Sequence, residues 1–131
     1  MSHRYDAPWW SIAMPDGWQA ESDEFCTTIM SDSGVGVLQL SADQKEAGPV
    51  TNDALNEFVL EGSLDAVLLT EVKRGDFEGL STHYREEGAY WRKAWLKNAN
   101  ILLYVTYNCA AGDEAIEKDV VDNMLNTLKR L

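Results

Sequence analysis

Residues 89–109, AYWRKAWLKNANILLYVTYNC, carry the clearest β-hairpin pattern in the chain and constrain its fold most strongly. Two runs rich in aromatic and β-branched residues flank the turn-forming residues 98–100. The second run, residues 101–107, is apolar at successive positions instead of alternating with polar ones. A strand that is apolar on both sides is usually a central strand with both faces covered. The hairpin therefore predicts a sheet that lies between two other layers.

Strand and turn patterns on both sides of the hairpin predict the remaining elements. We expect residues 1–8 to be a loosely attached lead-in. Three strands should follow as an antiparallel meander, because the turns between them are too short for crossover connections. A helix capped by Thr51 or Asn52 and ended by Gly62, a second group of four strands and a final helix complete the order. The predicted strands cover 9–13, 24–31, 35–41, 68–74, 77–86 and the two arms of the hairpin, and the predicted helices cover 51–61 and 113–130.

The predicted fold is therefore α+β, with the element order βββ-α-ββββ-α. It is an antiparallel sheet of about six to seven strands with one helix on each face, an α/β/α sandwich. Gly79 lies inside a predicted strand, which indicates a β-bulge or a close approach of another backbone. The length of 131 residues fits a single domain over residues 1–131.

The chain is strongly acidic, with a formal net charge of −11 at pH 7. The basic surface that phosphate backbones require is not expected, so nucleic acid is not a predicted partner. The simplest interpretation of this charge is solubility, and it would also speed encounter with a basic protein partner.

Two observations bear on localisation. The N-terminal residues hold no apolar run of signal-peptide length, and no stretch reaches the roughly 18 apolar residues of a membrane span. Cys26 and Cys109 are widely spaced and lack a CxxC pattern, which is typical of small buried side chains in a reducing compartment. We therefore expect a cytoplasmic protein with no membrane contact. Whether the two cysteines approach each other is left open.

The element order and three local patterns resemble the PsbP-like superfamily. The patterns are Met14-Pro15-Asp16-Gly17-Trp18 after the first strand, Phe77-Glu78-Gly79 within a later strand, and Tyr104-Val105-Thr106-Tyr107 before the last helix. The superfamily includes an extrinsic photosystem II protein, a Ran-binding transport factor and many uncharacterised bacterial domains, and the chain is most similar in character to the last group. The resemblance implies an antiparallel sheet between two helices and implies no catalytic residues, since these proteins share a fold and not a reaction.

Residues with catalytic or metal-binding chemistry are few. The sequence has no nucleophile elbow and no phosphate-binding or dinucleotide-binding glycine motif. Two distant histidines and two distant cysteines do not supply a set of metal ligands. His83 is the best candidate for acid–base chemistry, because alternation places it with Arg85 and Glu87, although a lone strand histidine is more often structural. We therefore expect a protein that is not an enzyme and has no cofactor or metal.

The first arm of the hairpin offers the strongest candidate for binding. Alternation puts Trp91, Lys93, Trp95 and Lys97 on one face. If this face is open to solvent, it is typical of an interaction surface, because tryptophan is enriched at binding hot spots. If a helix covers it, the indoles belong to the core and the lysine stems extend outward. Both interpretations stay open.

The leading functional hypothesis is a small acidic protein-interaction module without catalytic activity, for example an immunity-like or chaperone-like protein. Its partner would be a protein with a basic surface, bound through Trp91, Lys93, Trp95 and Lys97. The alternative is a small-ligand-binding protein or weak enzyme with a pocket near Trp91, Trp95 and His83. A third hypothesis is a homo-oligomeric structural unit.

Overall fold

The computed structural model describes residues 2–24, 26–55, 57 and 69–131, and within them the fold is α+β. The elements in chain order are β1 (Ser2–Asp6), β2 (Trp10–Pro15), β3 (Trp18–Ser22), β4 (Thr27–Ser31), β5 (Gly36–Gln44), α1 (helical at the described residues 52–55 and 57), β6 (Thr70–Arg74), β7 (Phe77–Glu86), β8 (Ala89–Asn98), β9 (Ile101–Ala110), α2 (Lys118–Leu125) and β10 (Lys129–Arg130).

The described strands form two sheets, and every strand pair is antiparallel. The larger sheet has seven strands in the order β3-β4-β5-β9-β8-β7-β6, and the smaller has three in the order β1-β2-β10. The predicted hairpin is confirmed: β8 and β9 pair from Ala89 opposite Ala110 to Asn98 opposite Ile101. β9 also pairs with β5, so the run that is apolar on both sides is an interior strand of the larger sheet.

Alternating side chains give the larger sheet two different faces. We call the face that packs against α2 and β2 the core face. Val121 and Met124 of α2 and Ile12 of β2 are almost completely buried there. The core-face side chains of the sheet include Ile29, Leu38, Leu96, Leu103, Val105 and Tyr107.

The opposite side of the larger sheet, called the second face here, receives a side chain from α1. Leu55 is 3% exposed and packs in a small separate cluster with Trp95. Of the two predicted capping residues, Thr51 takes this role, because the backbone N–H of Ala54 donates to its Oγ1 at 3.1 Å. Residues 56 and 58–62 of the predicted helix and its stop lie outside the described residues, so one helix on each face stays a prediction.

Two predictions for the N-terminal region are wrong. The predicted loose lead-in over residues 1–8 instead contains a strand, because β1 pairs with β2 from Ser2 opposite Pro15 to Asp6 opposite Ser11. The first predicted strand also does not join the meander: β2 belongs to the smaller sheet, and β3 takes the place beside β4. The physical reason is that Trp10, Ile12 and Met14 are buried against the core face, which moves β2 out of the plane of the larger sheet.

The last predicted helix is too long at both ends. Ile116, inside the predicted helix, is 62% exposed, and α2 begins only at Lys118. Beyond α2, Thr127 donates from Oγ1 to the carbonyl of Met124 at 2.6 Å and accepts from the N–H of Ala13 at 2.8 Å. Hydrogen bonds to β2 thus replace further helical turns, and residues 129–130 pair with β2 as β10.

Candidate functional site

The four residues predicted to bind a partner lie together on the second face, as alternation along β8 requires. Trp91 pairs with Tyr84 on one side, and Trp95 pairs with Tyr104 on the other. These two tyrosines carry the aromatic surface from β8 onto β7 and β9. The sequence pattern of β8 alone could not reveal this, because it does not give the register of the neighbouring strands.

The inner half of this row belongs to the core. Trp95 is 1% exposed, packs with Leu55 and lies with its ring centroid 5.6 Å from that of Tyr104. Nζ of Lys97 lies 3.5 Å from Oε1 of Glu78, and the Lys97 side chain is only 19% exposed. For Trp95 the interpretation as a core residue is therefore correct, and neither side chain is free to anchor a partner.

The outer half of the row remains partly exposed and forms a compact group, which we call the Trp91 cluster: Tyr84, Trp91 and Lys93. Nζ of Lys93 lies 5.3 Å from the ring centroid of Tyr84 and 5.7 Å from that of Trp91. Both distances are within the range of cation–π attraction, which contributes about 0.5–1 kcal/mol at exposed sites. The ammonium group therefore lies close to two aromatic rings at the surface and favours this arrangement.

The charge of Lys93 is maintained despite its surroundings. Burial alone would lower its pKa, but hydrogen bonds and charge interactions with Tyr84 and Tyr104 outweigh burial and leave the pKa above its ordinary value. Burial in turn raises the pKa of Tyr104. Near neutral pH the cluster thus presents one cation beside neutral aromatic rings.

His83 lies on the opposite side of the sheet from the Trp91 cluster. It pairs with Arg92 on the core side, and its ring centroid lies 6.1 Å from that of Tyr90. The predicted pocket near Trp91, Trp95 and His83 is therefore wrong, because the sheet separates the histidine from both tryptophans. The error arises because Trp91 and His83 are close along neighbouring strands but differ in the parity that sets the face.

The described residues contain no group of three or more histidine, cysteine or acidic side chains that could hold a metal ion. Cys26 and Cys109 are free thiols. Cys109 is part of the core, whereas Sγ of Cys26 accepts a weak hydrogen bond from Nε2 of Gln39 at 3.9 Å on the second face. In the part of the chain that the structure describes, no helix is long and apolar enough to cross a membrane.

Comparisons with known proteins identify the fold. No protein-family model matches the chain, and no curated protein matches it significantly. Among solved structures, a protein of Bacteroides thetaiotaomicron VPI-5482 superposes with a TM-score of 0.69 at 20% identity, over 98% of this chain and 48% of that one. The chain thus spans about half the length of the Bacteroides protein.

Two smaller proteins match over almost their full lengths. LpqN of Mycobacterium tuberculosis, described as involved in cell envelope biogenesis, has a TM-score of 0.59 at 13% identity, over 98% of this chain and 91% of that one. Cyanobacterial PsbP (CyanoP) from Synechocystis sp. PCC 6803 has a TM-score of 0.51 at 10% identity, over 99% and 92%. The fold is PsbP-like. These identities are low, so the likeness establishes the architecture and transfers no activity.

On the core side of this PsbP-like fold, sequence reasoning missed a second group of functional candidates. Arg74, Arg92 and Lys118 all contact the carboxylate of Asp122. Only the spacing of four residues between Lys118 and Asp122 is visible in the sequence. The two arginines come from β6 and β8, and strand pairing together with the packing of α2 brings them to the same carboxylate.

Proposed function

We propose that the protein is a small, acidic, non-catalytic module that binds another protein through the Trp91 cluster. The observation that carries this proposal is a partly exposed tryptophan on β8, close to a charged lysine of the same strand and a tyrosine of β7. Such a group presents a large contact area and loses little conformational freedom on binding, which is typical of binding hot spots. Compared with the sequence prediction, the surface gains Tyr84 and loses Trp95 and Lys97.

The distribution of charge supports a partner with a basic surface. Exposed acidic side chains lie along this face and in the turn after β7. Glu86 and Glu87 are near the end of β7 that carries Tyr84, and Glu71 and Glu78 are beside the inner half of the row, near Trp95 and Lys97. Together with the net charge of −11, they would steer a basic protein toward this face. The tryptophan would then supply the apolar contact. An immunity-like or chaperone-like role, in which this face covers part of a toxic or secreted protein, is the specific form that we propose.

The proposal also covers the cellular location of the protein and the completeness of its sandwich fold. We propose a cytoplasmic protein that binds neither nucleic acid nor membrane, and cell fractionation would check its location. We also propose the complete α/β/α sandwich with α1 over the second face, which the contact of Leu55 with Trp95 supports.

Affinity capture from the native host with the Trp91→Ala variant would test the interaction. We expect proteins captured by the wild type to be depleted about tenfold or more, because loss of a tryptophan hot spot typically costs over 1.4 kcal/mol. Trp9→Ala serves as the matched control, since Trp9 is also a partly exposed indole but lies beside the smaller sheet. Capture by this variant should equal that by the wild type.

Three measurements would complete the test. Circular dichroism must show that Trp91→Ala is folded, since the residue is partly buried. Weaker capture at high salt would support acidic steering. Equal capture by the wild type and both variants would contradict the proposed surface. Light scattering that gives a stable homo-oligomer, lost in Trp91→Ala, would show instead that this face joins copies of the chain.

A further inference from the structure

A cavity of about 270 Å³ lies between the core face and α2, on the side opposite to the Trp91 cluster. Strands β6, β7 and β8 supply its floor through Arg74, His83, Tyr90 and Arg92, and α2 supplies its other wall through Lys118. Apolar side chains of the sheet and α2 close its inner end. The volume is sufficient for a small organic molecule but not for a peptide segment.

Positively charged side chains outnumber negatively charged ones at this cavity. Nη2 of Arg74 lies 3.2 Å from Oδ1 of Asp122, and Nζ of Lys118 lies 3.0 Å from Oδ2 of the same carboxylate. Arg92 also contacts Oδ1 through Nη2. Three cations thus share one carboxylate, which leaves two positive charges in excess at this site of a chain whose net charge is −11.

The guanidinium of Arg92 has an unused donor. Its side chain is 19% exposed, and Nη1 is buried without a hydrogen-bond partner among the described residues. Nη1 of Arg74, by contrast, donates to Oδ1 of Asn126 at 3.2 Å. A buried charged N–H without an acceptor is costly, so a small rotation of this guanidinium toward an anion oxygen in the cavity would relieve that cost. Arginine is well suited to this task because its planar group binds an oxyanion through two parallel hydrogen bonds.

Neighbouring groups add to the preference for an anion. Tyr90 lines the cavity, and burial raises its pKa, so its hydroxyl is a neutral donor at ordinary pH. Arg85 and Glu114, which line an adjoining depression, contact each other and so do not offset the excess charge. The inner walls formed by Val105 and Val121 are apolar and would contact a short hydrocarbon portion.

We propose that this cavity binds a small organic oxyanion, with its phosphate or carboxylate group on Arg92 and Lys118 and a short apolar body against Val105 and Val121. The site lies on the opposite side of the sheet from the proposed protein-binding surface. The two proposals therefore succeed or fail independently.

Calorimetric titration and thermal unfolding of the wild type with butyl phosphate, butyrate and inorganic phosphate would test this site. Sodium chloride at equal ionic strength is the reference, because screening alone affects a chain of this charge. We expect one of the two alkyl anions to raise the Tm above the chloride reference and to bind more tightly than inorganic phosphate. Comparison of butyl phosphate with butyrate identifies which acidic group the cavity accepts.

Three variants would locate the binding. Arg92→Lys keeps the charge but removes the paired donors, and we expect affinity to fall about tenfold. Lys118→Gln removes one cation at the exposed edge of the cavity, and we expect a fall of about threefold to tenfold. Lys129→Gln makes the same change at an exposed lysine on β10, outside the cavity, and should bind as the wild type does.

The proposal is overturned if neither alkyl anion raises the Tm above the chloride reference. It is also overturned if all three variants bind the alkyl anion as tightly as the wild type does. Should Arg92→Lys fail to fold, Lys118→Gln and amide chemical-shift mapping of the wild type still decide the matter. Shifts that centre on His83, Arg92 and Val121 support the cavity, and shifts confined to other parts of the chain refute it.

Discussion

At the scale of single residues, Gly79 shows how closely the backbones of β7 and β8 approach each other in the larger sheet. A Cβ atom at this position would lie 1.9 Å from the carbonyl oxygen of Trp95 and 3.0 Å from Cα of Leu96. The register of β7 with β8 runs through Gly79 without a break, so the close approach expected from the sequence is confirmed and the alternative of a bulge is wrong. We expect Gly79→Ala to lower the free energy of unfolding by about 1–3 kcal/mol, as overpacking of a core does. Urea denaturation would measure the change.

The neighbouring residue provides the control for this substitution. Glu78 is exposed, and its ion pair with Lys97 has the long separation of 3.5 Å, so Glu78→Ala should change stability by no more than about 0.5 kcal/mol. If the two alanine variants are equally stable, the backbone of β8 has moved to accept the methyl group, and the close approach does not constrain this position.

Trp91 and Trp95 show that the sequence predicts the face of a side chain better than its exposure. Alternation correctly places both indoles on one face, but their exposure differs because Trp95 alone packs with Leu55 and Tyr104. Leu55 comes from a helix forty residues earlier, and no local pattern shows where that helix lies. The sequence therefore identifies the correct face, whereas the exposed part of it depends on tertiary packing.

At the scale of elements, the hairpin turns of the larger sheet differ in how well their residues suit a left-handed backbone conformation. Gly75 and Ala99 occupy equivalent first positions of two-residue turns, with φ of 60° and 50°. This conformation strains an alanine but not a glycine. We expect Ala99→Gly to raise the free energy of unfolding by about 0.5–1 kcal/mol, even though glycine normally destabilises a folded chain. Thermal and urea denaturation would measure it.

Ala110→Gly is the matched control, because Ala110 is an exposed alanine of the same hairpin within a strand. There the added flexibility of glycine has no compensating relief of strain, so stability should fall by about 0.5–1 kcal/mol. A loss of stability in both variants would show that the left-handed conformation of Ala99 imposes no strain.

The helix α2 shows why element boundaries were harder to predict than element types. The carboxylate of Glu117, 4% exposed, accepts hydrogen bonds from the hydroxyls of Tyr107 at 2.7 Å, Ser31 at 2.8 Å and Ser33 at 3.3 Å. This carboxylate fixes the start of α2 against β9, the strand before it, and against the end of β4, which is 86 residues earlier. By contrast, the bounds of β7 were predicted correctly, because local turns end it on both sides.

At the scale of the whole molecule, burial affects several tyrosines in the same direction. Burial raises the pKa of Tyr90, Tyr104 and Tyr107 above the ordinary value of 10.0, and at Tyr107 the nearby Glu117 carboxylate raises it further. The unfolded chain would release these protons near pH 10, while the folded chain retains them. The folded state then binds more protons than the unfolded state, so the free energy of unfolding must fall as the pH rises above 10. Below that pH the stabilisation is fully present.

Tyr107 should make the largest contribution to this alkaline loss of stability, because it is the most deeply buried of the three and adjoins a carboxylate. The Tyr107→Phe variant has no ionisable hydroxyl at this position, so the position no longer contributes to the difference in bound protons between the folded and unfolded states. We expect the variant to be less stable at pH 7 by about 1 kcal/mol, since one hydrogen bond to Glu117 is lost. Between pH 10 and 11.5 its free energy of unfolding should decline less steeply than that of the wild type, by as much as about 1.4 kcal/mol per pH unit. Urea denaturation across this range measures both slopes, and the comparison cancels the lysine titration common to the two proteins. Parallel slopes would show that Tyr107 ionises equally in the folded and unfolded chains, which would contradict the raised pKa of its hydroxyl in the folded state.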